Sequence, residues 1–129
     1  MAERIALQAP LQDEFGPVVR LIVAGIAERA GFGFEEMDDL QLAIERLLAE
    51  VGSDGRVSMS FDLSPGRIRA SVGPLHEMGL SRALQEPDGV PGELTLRKIL
   101  NTVVDSFGVE GAAGGKIMVR LEKLTGPGA

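Results

Sequence analysis

Glu45 is the residue whose type and position most readily suggest chemistry. It lies in the stretch QLAIERLLAEV, residues 41–51, next to the apolar positions of an amphipathic helical pattern. A carboxylate beside a core needs either a structural partner or a chemical role, such as that of a general base. The residue four positions later shares its side of the helix and is Ala49, which can supply neither a proton acceptor nor a metal ligand.

Composition limits the remaining chemistry. The chain of 129 residues has 13 basic and 19 acidic side chains, a net charge of −6 and no cysteine. No cluster of Lys and Arg is present of the kind that neutralises phosphates, so nucleic acid is not expected as a direct partner. The absence of cysteine excludes disulfides and thiolate metal sites, and no group of residues has metal-ligand spacing. With no apolar run near the length that spans a bilayer, we expect a cytoplasmic protein that does not contact the membrane.

Hydrophobic periodicity predicts three helices and five strands within one domain, residues 1–129. The apolar stripe of the first helix is expected to be Phe15, Val18, Val19, Ile22 and Ile26, with Gly31 as its end. The predicted helices are 15–31, 35–51 and 94–107, and the predicted strands are 4–8, 56–63, 67–72, 109–110 and 116–124.

The order of these elements indicates an α+β fold. We expect a two-layer sandwich in which helices cover one face of a mixed, mostly antiparallel sheet. Residues 73–92 contain three prolines and four glycines and are too long for an ordinary connection, which favours a lid-like loop with a short helical turn at 81–85. Residues 125–129 are predicted to form a flexible tail.

Three segments carry a resemblance to a known family. VVRLIVAGIAERAGF (18–32), DDLQLAIERLLAEV (38–51) and LRKILNTVVDSFGVEGAAGGKIMVRLEKL (96–124) together resemble the anti-sigma factor serine kinases of the GHKL, or histidine-kinase-like, ATPase superfamily. These bacterial regulators hold a sigma factor inactive. The resemblance implies the histidine-kinase-like ATPase fold for nearly the whole chain.

The nucleotide motifs of that family are altered here. In the family, a Glu on the second helix is followed four residues later by an Asn that helps to hold Mg²⁺, and the resemblance places Glu45 and Ala49 at these positions. The adenine-binding Asp-x-Gly-x-Gly box falls near Gly73, where no Asp is present. The phosphate-binding Gly-x-Gly falls on Leu94 and Leu96. The resemblance therefore implies a degenerate ATP site in which Glu45 is a vestigial catalytic base.

The partner-binding feature of the family is retained. An Arg in the first helix of such proteins contacts the sigma factor and the competing anti-anti-sigma (STAS-type) protein, and Arg20 matches its place. An alternative interpretation of Arg20 is a solvated side chain on the polar side of an amphipathic helix.

We therefore expect an anti-sigma-factor-like binding protein that acts by partner switching, without an enzymatic activity and without a nucleotide cofactor. Two alternatives stay open. One is a serine kinase that uses ATP and Mg²⁺ to phosphorylate an anti-anti-sigma partner. The other is a non-catalytic, dimerising interaction domain of a different signalling pathway, and a homodimer is compatible with each of these interpretations.

Overall fold

The computed structural model describes residues 3–10, 16–50, 56–76, 80–85 and 95–125. Several predictions fall outside these residues. They concern Phe15, Val51, much of the 73–92 loop, Leu94 and the 126–129 tail. The elements are β1 (Glu3–Pro10), α1 (Gly16–Arg29), α2 (Phe34–Glu50), β2 (Arg56–Ser64), β3 (Arg67–Leu75), α3 (Leu80–Gln85), α4 (Leu96–Val103), β4 (Ser106–Gly111) and β5 (Ile117–Leu124), with a 3-10 turn at Ala113–Gly115.

The five strands form one sheet in the order β1-β2-β3-β5-β4. Every neighbouring pair is antiparallel, so the expectation of a mixed sheet is corrected to an antiparallel one for the described strands. The reason is that the helical connection from β3 leads to β4, two positions along the sheet, and β5 then returns between these two strands, antiparallel to both. The predicted α+β sandwich with helices on one side is confirmed.

The core lies between the sheet and the helices. Alternate side chains of β2, β3 and β5 point inward and are buried, as period-two alternation requires for a half-covered sheet. α2 is the middle helix and contacts both α1 and α4. The most deeply buried large side chains are Phe61, Leu40, Ile44, Leu47, Met59, Ile68, Leu75, Leu100 and Leu121.

A tight corner joins α1 to α2. The Phe32 amide donates to the Ala27 carbonyl and the Gly31 amide to the Glu28 carbonyl, with Gly31 at a φ of 83°, which is the Schellman arrangement that ends a helix. This confirms Gly31 as the end of α1. At the start of α2, the Glu36 carboxylate accepts a hydrogen bond of 2.9 Å from the Gly33 amide and caps the helix.

The same corner is attached to the sheet. The Gly66 amide, in the β2–β3 turn, donates to the Ala30 carbonyl at 2.7 Å, and the Thr125 amide donates to the Gly66 carbonyl at 2.9 Å. Arg29 at the end of α1 binds the Glu3 carboxylate of β1 with Nη2 to Oε2 at 2.8 Å. The α1–α2 hairpin is therefore fixed to the sheet at this end.

Three predicted details are wrong. Val18 is 48% exposed, because the buried side of α1 is formed by Val19, Val23, Ile26 and Ala27. β3 continues to Leu75 rather than ending at residue 72, since a bulge restores its pairing with β5 after Val72. Phe107 belongs to β4 and not to the preceding helix, which ends at Val103.

Two further features concern the rest of the chain. The predicted helical turn at 81–85 is found as the short helix α3. Among the described residues, no helix has both the length and the apolar character needed to cross a bilayer.

Candidate functional site

Arg20 and Glu45 lie together on the paired helices α1 and α2. Arg20 Nη1 donates to Glu45 Oε1 at 2.5 Å. The two residues are 25 positions apart in sequence, and the tight corner between the helices brings them face to face. The structural partner that Glu45 requires is thus Arg20, one of the two residues that the family resemblance had singled out for separate roles.

The backbone of Arg20 is also held by α2. The buried Gln41 side chain donates from Nε2 to the Arg20 carbonyl oxygen at 2.9 Å. Asp38, Gln41 and Glu45 are spaced three and four residues apart, so they share one side of α2. Arg20 Nη2 is 3.4 Å from Asp38 Oδ1, a long contact that supplements the short one to Glu45. Arg20 is therefore positioned by three residues of a single helix side.

The ion pair remains open to water. The side chains of Arg20 and Glu45 are 47% and 37% exposed. The hydrogen bond from Arg20 to Glu45, and then the charge of that carboxylate, raise the pKa of Arg20 above its ordinary value. The guanidinium is therefore always charged and accessible to an anionic group from outside.

The Mg²⁺ position of the family is not preserved in the geometry around α2. Ala49 lies one turn after Glu45 and is exposed, so its methyl group, and no oxygen, occupies the place of the amide ligand. In the described part of the chain, no group of three or more His, Asp or Glu residues is arranged to hold a metal ion. Position 49 of α2 therefore offers no side-chain oxygen to a magnesium ion.

Gly73 is required by packing. It is buried in β3 with φ 151°, and a Cβ atom built there would lie 2.7 Å from Met118 Sδ and 2.8 Å from the Ile117 carbonyl oxygen. The neighbouring strand β5 therefore explains why this position has no side chain. No adenine-binding role is needed to account for it.

The start of α4 also differs from a phosphate-binding turn. Leu96, at a position where the family has glycine, is only 6% exposed and contributes to the core. The hydroxyl of Thr95 accepts a hydrogen bond of 3.2 Å from the Lys98 amide. An amide of the first turn, which would face a phosphate in a nucleotide site, is therefore satisfied by the protein itself.

Two exposed leucines lie near the exposed arginine. Leu21 follows Arg20 on α1 and is 74% exposed. Leu42, which is 39% exposed, lies on α2 between Asp38 and Glu45, the two residues whose carboxylates contact Arg20. We call Arg20, Leu21 and Leu42 the arginine face. It combines an exposed charged group with exposed apolar area, as protein-binding surfaces do.

A second polar surface is present on the uncovered side of the sheet. A cleft of about 320 Å³ there includes Arg69, Ser71 and Arg120. Both arginines are ion-paired: Arg69 Nε is 2.9 Å from Glu122 Oε2 and Arg120 Nε is 2.6 Å from Glu110 Oε1. These ion pairs join adjacent strands of the sheet.

The architecture defines the class of protein. An antiparallel five-stranded sheet covered on one side by helices, in the order βααββααββ, is the histidine-kinase-like ATPase fold that the sequence motifs implied. No protein-family model matches the chain.

Curated relatives give a more particular similarity. The chain is 28% identical over 76 residues to the serine-protein kinase RsbW of Bacillus mycoides, which covers 54% of this chain and 48% of that protein. It is 28% identical over 79 residues to RsbW of Listeria innocua (56% and 50%) and 26% identical over 76 residues to RsbW of Bacillus thuringiensis (54% and 48%). The chain spans about half the length of these relatives. The chain is thus similar, over about half of its length, to RsbW serine-protein kinases.

Sequence reasoning identified Arg20 and Glu45 but not their contact. It also missed Gln41, whose amide joins α2 to the α1 backbone. A polar residue at a position flanked by the core residues Leu40 and Ile44 was the available signal, since a buried amide needs a hydrogen-bond partner.

Proposed function

We propose that the protein is a partner-switching regulator that binds a sigma factor and, alternatively, an anti-anti-sigma protein of the STAS type. Two observations support this function: the similarity to RsbW proteins and an exposed arginine with the exposed Leu21 and Leu42 nearby. Binding of one partner would exclude the other, because both would use the arginine face. The concentrations of the two partners, and their affinities for this protein, would then decide which of them is bound.

We further propose that this function needs neither nucleotide nor phosphoryl transfer. The observation that carries this part is the pairing of Glu45 with Arg20 beside an exposed Ala49. A general base must reach the proton of its substrate, and Mg²⁺ needs oxygen ligands. Glu45 Oε1 is already engaged, and position 49 offers no oxygen.

Calorimetric titration with ATP and ADP in the presence of Mg²⁺ tests the absence of nucleotide binding. We expect no heat of binding up to millimolar nucleotide. The Ala49→Asn variant is a useful companion, since it restores the ligand that the family uses. Binding by the unmodified protein that is lost in Glu45→Ala would refute the nucleotide-independent function.

A serine kinase is the second candidate, and the name of the relatives favours it. It predicts transfer of the ATP γ-phosphate to a serine hydroxyl of a STAS-type partner. Incubation of the purified protein with radiolabelled ATP, Mg²⁺ and STAS-type proteins of the same organism distinguishes the two. Labelled partner would establish the kinase, whereas unlabelled partner that nevertheless forms a stable complex supports the binding protein.

The arginine face is tested by partner binding. The sigma factors and STAS-type proteins of the source organism are purified and titrated into the protein. Arg20→Ala should weaken the binding of a recognised partner at least about tenfold, as expected for an arginine at the centre of an interface. Arg120→Ala is the matched control, because this arginine is also exposed and ion-paired but lies on the uncovered side of the sheet. Equal loss in both variants would exclude a specific role for Arg20.

A further inference from the structure

We infer that Glu45 is a specificity-determining residue for partner binding: it occupies Arg20 in the free protein and must be displaced by a carboxylate of the partner. This inference rests on the proposed binding function and assigns Glu45 a role other than that of a catalytic base. Glu45 acts through Arg20 and is therefore a positioning residue.

The contacts on α2 show why Glu45 can be replaced. It is held by one short hydrogen bond from Arg20 Nη1 and is 37% exposed. The second guanidinium nitrogen, Nη2, makes a longer contact of 3.4 Å to Asp38 Oδ1. An incoming carboxylate with two oxygens can form a bidentate pair with Arg20, which is stronger than the single bond that it replaces.

Glu45 competes with an incoming carboxylate for Arg20 from within the same molecule. This competition makes Arg20 selective among acidic partners. Glu45 is fixed beside Arg20, so its effective concentration at the guanidinium exceeds that of any free carboxylate in solution. An isolated acidic side chain therefore competes poorly. A protein segment that also covers Leu21 and Leu42 gains apolar burial and excludes water, and this extra free energy makes displacement of Glu45 favourable. The occupant that fits is an acidic residue flanked by apolar side chains on a protein surface.

The rest of the helix pair supports this assignment. Gln41 holds the Arg20 backbone independently of Glu45, through the 2.9 Å bond to the carbonyl oxygen. Removing the Glu45 charge therefore frees the guanidinium without releasing α1 from α2. Asp38 then remains as the nearest carboxylate to Arg20.

Chemical modification tests the resting ion pair without any partner. Phenylglyoxal reacts with accessible guanidinium groups, and mass spectrometry of proteolytic fragments gives the rate at each arginine. We expect Glu45→Gln to raise the rate at Arg20 by a factor of about three or more and to leave the rate at Arg29, which is bound to Glu3, unchanged. Glu28→Gln makes the same change in net charge on an exposed part of α1 and serves as the control. An unchanged rate at Arg20 would overturn the inference.

Partner titration tests the displacement. The panel of sigma factors and STAS-type proteins is titrated into the unmodified protein, Glu45→Gln and Glu28→Gln. We expect Glu45→Gln to bind the recognised partner about three to ten times more tightly, because a competing ion pair and a repulsive charge are both removed. We also expect it to bind additional members of the panel. Weaker or unchanged binding would overturn the selectivity role while leaving the proposed function intact.

A panel that does not bind the unmodified protein would contradict the proposed function. Glu45→Gln still decides the inference in that case. Binding gained by this variant and not by Glu28→Gln would show that Glu45 blocks Arg20. No binding by either variant would overturn the inference as well.

Discussion

Gly73 is the glycine at which an added methyl group should destabilise the folded protein most. Its φ of 151° is unfavourable for any L side chain, and an added methyl group would meet the Ile117 carbonyl oxygen at 2.8 Å. That atom belongs to the backbone of β5 and cannot rotate away. We expect Gly73→Ala to lower the free energy of unfolding by about 1–3 kcal/mol. Urea denaturation followed by circular dichroism measures it, as the chain has no Trp or Tyr.

Gly25→Ala is the matched control for this prediction. Gly25 lies in α1, and a Cβ built there meets no described atom within 4 Å apart from its chain neighbours and the backbone of its own helix. Alanine has the higher helical propensity, so this variant should be more stable than the unmodified protein by up to about 1 kcal/mol. Similar destabilisation by both substitutions would mean that the contact with β5 is not the cause.

At the same residue scale, the sequence indicated that Glu45 needs a partner but not which one. Arg46 is its neighbour in sequence, yet the observed partner is Arg20. The positions of two residues relative to a turn can predict such a contact: Arg20 precedes Phe32 by 12 residues and Glu45 follows it by 13. That estimate requires the end of α1 to be known, and Gly31 was the signal for it.

Among the elements, α4 depends most on its cap. It has only eight residues, a length at which an isolated helix is not stable, and the Thr95 hydroxyl accepts from the Lys98 amide. We expect Thr95→Ala to reduce the free energy of unfolding by about 1 kcal/mol. Thermal unfolding measured by circular dichroism should show the lower midpoint.

Thr102→Ala provides the comparison within the same helix. The Thr102 hydroxyl donates to the Lys98 carbonyl at 2.8 Å, a bond that adds to the helix ladder without satisfying an orphan amide. Its loss should change stability by less than about 0.5 kcal/mol. If Thr102→Ala were the more destabilising of the two, the cap would not be the stabilising feature of α4.

The number and type of the main elements followed from periodicity, but several boundaries did not. Phe107 continues the helical spacing of Ile99 and Val103, so spacing alone placed it in the helix. Asp105 instead starts the pairing with β5: its amide donates to the Glu122 carbonyl and its carboxylate accepts from the Leu124 amide. These bonds join the chain to β5, which is distant in sequence, and no local pattern encodes them.

The stability of the molecule as a whole should decrease in acid. Hydrogen bonds from Arg69 and Arg67 lower the pKa of Glu122, and a hydrogen bond from Arg29 lowers the pKa of Glu3. A carboxyl whose pKa is lower in the folded state stabilises that state above its ordinary pKa of 4.5 and loses this contribution as the pH falls further. We therefore expect the urea midpoint to fall below about pH 4.5.

Glu122→Gln separates this cause from general acid effects. The variant cannot gain a proton at position 122, so the part of the acid-induced loss that Glu122 causes should disappear and the dependence of the midpoint on pH should be shallower. At pH 7 the variant should be the less stable of the two proteins. Parallel pH profiles for the two proteins would show that the arginine–Glu122 contacts make no net contribution.

The position of β5 in the sheet has a consequence for biosynthesis. β5 is last in the order of the described strands, yet it lies in the interior of the sheet, between β3 and β4. While a ribosome is still synthesising residues 117–124, β3 has an unpaired edge and the inner side of the sheet is incomplete. The domain must therefore remain incompletely folded, and dependent on protection from aggregation, until β5 has left the exit tunnel.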